Sequence, residues 1–296
     1  MKKDNYKRVK QVLYIILVAN IIVALLKIAI GLITKSASLL SDGIHSLSDA
    51  SSNIVGLVGI CLASKPKDKE HPYGHNKFET LSGLFISGML FIVGGKIVLS
   101  AINRLKNPVI PKITILSLII LIVTLLINIL VSIFEYKKGK ELNSLILISD
   151  SMHTRSDIYV SIGVLITLIG IKFGVPVYID SISSLIVAGF IIHAAYEIYK
   201  ENSGVLVDRV VVDTEEIKAI VLDFEQVKDI HKIRSRGSQN NLYIDMHIMV
   251  DPDLTIKDSH DMVHDIEDAI KVNLNQSAQV IAHLEPYIPN ESVTLK

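Results

Sequence analysis

The sequence predicts an α-helical membrane protein with about six transmembrane helices, followed by a small cytosolic α/β domain. Three observations carry this. Half of the residues are hydrophobic and only 20% are charged, against ~25% in a soluble domain. Mean hydropathy is +0.45. The net charge is zero, yet residues 1–201 hold 21 Lys and Arg against 13 Asp and Glu, and residues 202–296 hold 9 against 17. The long apolar runs all fall in the first, basic body. The expected division is therefore a six-span domain over 1–201 and an acidic α/β domain over 202–296. This composition excludes a disordered chain and argues against an ordinary soluble enzyme. Neither body has the basic stripe that holds nucleic acid, so no nucleic-acid partner is expected. One cysteine, Cys61, leaves no internal disulfide and no cysteine-based zinc cluster.

A helical span needs ~20 mostly apolar residues. Six stretches qualify: 9–33, 37–63, 78–103, 113–136, 142–171 and 175–200. The fourth runs through ILSLIILIVTLLINILVSIF without a charge. Runs this long are helices, since strands of such length are rare. The first is too long for a signal-peptide core, and no small-residue cleavage site follows it. Six spans put both termini on one side. The loops on that side and the N-terminus carry twelve Lys and Arg, and the opposite loops carry five. The excess places both termini in the cytosol. An Ile- and Lys-rich chain fits a bacterial plasma membrane.

Inside the spans lies a repeat. LLSDGIHSLSDASSNIVGLVG, from Leu39, matches LISDSMHTRSDIYVSIGVLIT, from Leu147. The shared core is Ser-Asp-x-x-His-x-x-Ser-Asp, on the second and fifth spans. Residues four apart share a helix face, so His45 points with Asp49 and His153 with Asp157. Ionisable groups in a bilayer are costly unless paired or wet, and mark function. Two imidazoles and two carboxylates suit tetrahedral Zn²⁺ and argue against Mg²⁺ and Ca²⁺, which prefer oxygen. The alternative is a helix–helix hydrogen-bond network without metal. Asp42 and Asp150, one turn earlier, fit supporting or cavity-lining roles better than direct ligation.

These paired motifs resemble the cation diffusion facilitator family, and the likeness extends along the whole chain. After the second span, Lys65-Pro66-x-Asp68-x-x-His71-Pro72-Tyr73-Gly74-His75-x-Lys77-x-Glu79 is similar to that family's second-loop signature. Members are homodimeric divalent-metal/proton antiporters that export Zn²⁺ or a neighbouring metal from the cytosol. The resemblance implies that His45, Asp49, His153 and Asp157 form the transport site. It also implies a second-loop metal site at Asp68, His71 and His75. Read from the residues alone, those three have ligand spacing, but Pro72 and Gly74 oppose a helix, so a turn must gather them.

The acidic body reads as α-β-β-α-β. Asp213-Thr214-Glu215-Glu216 opens a helix with acids in its first turn, as the dipole prefers. VKDIHKIRSRG then reads as a strand, Gly237-Ser238 as a turn and NLYIDMHIMV as an alternating strand. A helix over 256–272 and a last strand, AQVIAHLEPY, follow. This order matches the ferredoxin-like cytosolic domain of the family. Five of the ten His lie here. The resemblance implies a bridged metal site at a dimer contact, with His231, His247, His260 and His283 as ligands and Glu285 as carboxylate. The family often carries Asp at that last position. His264, one turn from His260, could replace it. Lying outside the spans, such a site would be structural or regulatory.

The function expected is therefore export of divalent transition metal by proton antiport, with Zn²⁺ favoured by the imidazoles and Mn²⁺, Fe²⁺, Co²⁺ or Cd²⁺ as alternatives. A membrane-anchored metal sensor is the rival class; it leaves the buried carboxylates unexplained. A membrane metalloenzyme is disfavoured, because catalytic zinc keeps an open position. Lys27 and Lys96 fall inside spans and read as snorkelling to the interface; Arg155, two residues from both His153 and Asp157, faces away from them toward a wet cleft or a helix interface; and Asp180, His193 and Glu197 of the sixth span read as interfacial.

Overall fold

The computed structural model describes residues 3–33, 37–106, 115–172, 178–238, 240–274 and 277–288. Within its helices, some further side chains lie outside the described residues, those of Lys27, Asp42, His45, Asp49 and Asp180 among them. The chain forms two units, Lys2–Ser203 and Gly204–Lys296.

The first unit holds six helices: α1 (Lys3–Ile33), α2 (Ala37–Ala63), α3 (Lys77–Lys106), α4 (Ile115–Leu142), α5 (Leu145–Lys172) and α6 (Tyr178–Leu206). Among the described residues, three stretches are long and apolar enough to cross a membrane: Asn5–Leu26, Lys77–Lys106 and Leu118–Leu142. Large apolar side chains face outward, with Leu99 70% and Leu130 69% exposed, while Glu135, Asp150, Ser144 and Ser151 are fully buried. That inversion is what hydrocarbon selects, since lipid solvates Leu and cannot satisfy a carboxylate.

Helix α1 lies along α2 and α4 along α5; α1 also meets α4, and α2 meets α5, closing a group of four. Helix α3 packs on α2 and α5. Its Leu90 joins Ile191, Ala195 and Ile198 of α6 in an apolar cluster. Gly59 permits the α2–α3 approach, since a Cβ there would come within 1.9 Å of Ser82 Oγ. The α4–α5 turn rests on Asn143, at φ 49°. Asn tolerates that left-handed conformation, and Ser144 N–H then donates to Gly139 O at 2.9 Å.

The second unit runs α7 (Thr214–Leu222), β1 (Val227–Ser238), β2 (Asn241–Val250), α8 (Ile256–Asn273) and β3 (Gln279–Pro286). This is the α-β-β-α-β order expected. Asp213 caps α7 by accepting from Glu215 N–H at 3.1 Å, and Thr255 caps α8 by accepting from Asp258 N–H at 3.2 Å. The sheet order is β1-β2-β3, with β1 antiparallel and β3 parallel to β2. One element differs from expectation. Gly237 and Ser238 remain in β1, paired with Leu242 and Asn241, and Gly237 takes φ 106° within the ladder. A glycine that read as a turn instead lets the strand continue beneath Asn241, whose carbonyl a Cβ would meet at 2.1 Å.

Ile230, Leu242, Ile244, Met246 and Ile248 pack against Ile217 and Val221 of α7 and Met262, Ile266 and Ile270 of α8. Both helices thus cover one sheet face, and alternation sends Asp245 and His247 to the other. Ile244→Ala should cost this unit about 2–5 kcal/mol. Amide hydrogen exchange of the full chain will show it as faster exchange confined to residues 204–296.

Candidate metal sites

Strand register builds a histidine row on the uncovered sheet face. His231 is opposite His247, and His247 is opposite His283, so the three lie side by side across β1, β2 and β3. Glu285, two residues beyond His283, shares that face. Its Oε1 is 2.7 Å from His247 Nδ1 and its Oε2 is 3.1 Å from His231 Nε2. His283 stands farther out, with Nε2 at 3.8 Å from Glu285 Oε1 and its ring 4.7 Å from that of His247. A register shift after His231, with Lys232 at φ 50°, bends β1 beside the row. Bulges of this kind re-aim side chains. The hydrogen bond with His247 holds the Glu285 carboxyl below its usual range, and charge on His231 and His247 adds to the effect. Ligand atoms of His231, His247 and Glu285 come within 4.8 Å of one another, a set fit for a metal ion. Glu285, although a methylene longer than Asp, reaches both imidazoles.

His260 does not join this set within one chain. It is exposed on α8, whose Met262 and Ile266 cover the opposite sheet face. Its Nε2 instead lies 3.2 Å from Nε2 of His264.

In the second loop, Asp68, His71 and His75 are gathered by a turn. His71 O accepts from Gly74 N–H at 2.9 Å, and Gly74 takes φ 91°. Asp68 Oδ1 accepts from the N–H of Glu70 and His71 at 3.0 and 2.7 Å and sits 3.1 Å from His71 Nδ1. Its Oδ2 lies 3.3 Å from His75 Nε2. The backbone hydrogen bond from His71 is the largest cause holding the Asp68 carboxyl low. The three ligand atoms fall within 4.8 Å. His75 is buried, and its Nδ1 has no hydrogen-bond partner among the described residues. The Tyr6 hydroxyl of α1 bonds Asn76 Oδ1 and fixes the loop's far side.

Of the repeat, His45 and Asp49 lie on α2 and His153 and Asp157 on α5. The side chains of His45 and Asp49 are outside the described residues. His153 is buried, and neither ring nitrogen has a partner among the described residues. Asp150 is fully buried and accepts at Oδ2 from Asn53 Nδ2 of α2. Arg155 lies 4.4 Å over the Tyr136 ring, a cation–π contact between α5 and α4. Lys96 is exposed on α3, and His193 pairs with Glu197 at 3.5 Å on the outside of α6.

Two buried acids were not among the candidates. Glu79 accepts from Ser144 Oγ at 2.5 Å, and Glu135 accepts at Oε2 from Thr154 Oγ1 at 3.1 Å. Glu135 follows the uncharged run of the fourth span directly, where an acid reads as a span end; an acid about two helical turns inside the end of α4 was the available signal.

The family model described as "Cation efflux transmembrane domain" matches residues 13–207, and "Cation efflux protein, cytoplasmic domain" matches 211–287. An uncharacterized transporter, MJ0449, of Methanocaldococcus jannaschii is 34% identical over 93% of this chain and 96% of its own. The manganese efflux system protein MneP of Bacillus subtilis is 33% identical over 97% of this chain and 99% of its own. A cadmium, cobalt and zinc/H(+)-K(+) antiporter of Bacillus subtilis is 29% identical over 80% and 77%.

The lowered Glu285 carboxyl has a definite pH consequence. A carboxyl held below its unfolded value stabilises above that value, and the contribution is lost as pH falls through the lowered folded value. Stability of the second unit should therefore decline as pH drops below about 4.3. Glu285→Gln should flatten that decline, read as hydrogen-exchange protection against pH. Equal slopes for both proteins would contradict the assignment.

Proposed function

The chain belongs to the cation diffusion facilitator, or cation efflux, family, and from that premise we propose that it exports divalent transition-metal ions from the cytosol in exchange for protons. Proteins of this family are transporters rather than enzymes. The reading rests on one observation above others: the duplicated Ser-Asp-x-x-His-x-x-Ser-Asp on α2 and α5, with His153 buried among apolar helices and neither nitrogen bonded to a neighbour among the described residues. An interior imidazole without a hydrogen-bond partner is costly, and a metal substrate repays that cost.

The metal meets His45, Asp49, His153 and Asp157 from the cytosolic side. Binding requires neutral imidazole and ionised carboxylate, so it displaces protons. After the unit opens outward, protons compete for the histidines and release the metal. Histidine titrates near neutrality, so a modest gradient drives the exchange. The protonated site then returns at lower cost than an uncompensated charged one. The excess of Lys and Arg in alternate loops supports cytosolic termini.

Two imidazoles and two carboxylates favour Zn²⁺ as substrate. Mn²⁺ is the second reading, favoured by the likeness to MneP along nearly the whole chain. The match of residues 211–287 to the family's cytoplasmic domain supports a homodimer, and the likeness to Bacillus subtilis transporters supports the bacterial plasma membrane. In that dimer His231, His247, His283 and Glu285 would hold a structural or regulatory metal ion, and His260, set on the other sheet face, would contribute from the second protomer. Asp68, His71 and His75 would hold a further ion in the second loop.

Radiolabelled metal uptake into inside-out vesicles tests the site. Asp49→Ala and Asp157→Ala should each abolish uptake while the protein still elutes as a folded dimer. Normal uptake by either variant would contradict it. Unlabelled Zn²⁺ should compete more strongly than Mn²⁺; the reverse order would select the second reading.

A further inference from the structure

Helix α4 brings one acid into the interior of the four-helix group. Glu135 is fully buried, as is Asp150 of α5, and the Thr154 hydroxyl joins them, lying 3.1 Å from Glu135 Oε2 and 3.2 Å from the Asp150 carbonyl oxygen. Each spends one oxygen on a neutral donor. Thr154 Oγ1 donates to Glu135 Oε2, and Asn53 Nδ2 donates to Asp150 Oδ2. Asn53 is itself fixed from α1, since its Oδ1 accepts from Asn20 Nδ2 at 2.8 Å. The remaining oxygens, Glu135 Oε1 and Asp150 Oδ1, have no partner among the described residues.

Among the described residues, the basic side chains closest in sequence to the pair are engaged elsewhere. Arg155 stacks on Tyr136, and Lys138 Nζ bonds Glu141 at 2.6 Å. Two neighbouring buried carboxyl groups ionise together only at high cost unless a positive charge compensates them. A donor suited to share such a charge lies one turn along α5. His153, three residues beyond Asp150, is buried with both ring nitrogens unpartnered among the described residues. On a helix that spacing sets it over the same face as Asp150.

We propose that Glu135 and Asp150 form a further divalent-cation position in the membrane unit, one helical turn from His153 on the side of the α4–α5 turn. It rests on the transport reading above and adds a step to it. A metal ion held by the two carboxylates passes to the His-Asp set by exchanging ligands one at a time, without regaining its full water shell inside the bundle. Carboxylate oxygens suit Mn²⁺ better than imidazole does, so this position favours Zn²⁺ over Mn²⁺ less than the transport site. Four helices build it, with Asn20, Asn53, Asp150 and Glu135 contributed by α1, α2, α5 and α4.

The test is ion counting on the full chain in lipid nanodiscs, with Mn²⁺ or Zn²⁺ alone as probe, by equilibrium dialysis with proton release recorded in parallel. Glu135→Gln should bind about one ion fewer per chain than the unmodified protein. Glu135→Asp keeps the charge and should retain that ion with weaker affinity. Asp157→Asn should lose transport yet keep the Glu135-dependent ion. Size exclusion and helical circular dichroism establish that each variant is folded. An unchanged ion count in Glu135→Gln overturns the proposal; if proton release alone then falls, the pair shares a proton and takes no metal. Normal transport by Asp157→Asn would instead sink the transport-site reading, whatever Glu135 does.

Discussion

Burying an ionisable group among apolar helices costs several kcal/mol unless it is paired or wet, and the membrane unit is organised around that cost. Its exterior is Leu, Ile, Val and Phe, which lipid accepts. Its interior holds acids, amides and hydroxyls that answer one another across helices: Asn20 to Asn53, Asn53 to Asp150, Thr154 to Glu135, Ser144 to Glu79. These bonds tie α1, α2, α3, α4 and α5 together where Leu alone would give no direction. What they leave unspent is as informative. Among the described residues, these include both nitrogens of His153 and one oxygen each on Asp150 and Glu135, on adjoining turns of α4 and α5.

The second unit solves a different problem with the same economy. A three-stranded sheet has two faces, and α7 and α8 cover one of them with Ile, Val and Met. The other face is left to polar side chains, and the pairing register sets three histidines in a line across it. Glu285 bridges two of them. Cross-strand neighbours on one face stand close enough to share a ligand, so the row needs no loop to assemble it. His260 belongs to the helix layer, and a site that includes it needs a second copy of the chain.

Much of this was legible in the sequence because its signals are local. Apolar runs gave six helices, and alternation gave the strands. Helix ends ran past the hydropathy limits: α1 begins at Lys3 and α4 continues to Leu142, since Lys and Glu favour helix as well as Leu does. Gly237 misled because glycine marks a turn and a strained strand position with the same letter. Asp68, His71 and His75 required a turn, and Gly74 at φ 91° supplies it. Glu135 was opaque for a physical reason. Its partner Asp150 lies on another helix, and no periodicity within α4 reports a contact made across helices. Arg155 was opaque in the same way, since the Tyr136 ring beneath it belongs to α4.

The central claim is that metal movement and proton movement are one process at one buried site. The direct measurement is metal-driven proton flux in proteoliposomes carrying the full chain, with an interior pH dye and Zn²⁺ or Mn²⁺ added outside. Saturable proton movement opposite to the metal, lost in Asp49→Ala, is the result this account requires. Metal that binds tightly yet drives no proton flux, or flux that survives Asp49→Ala, would contradict it.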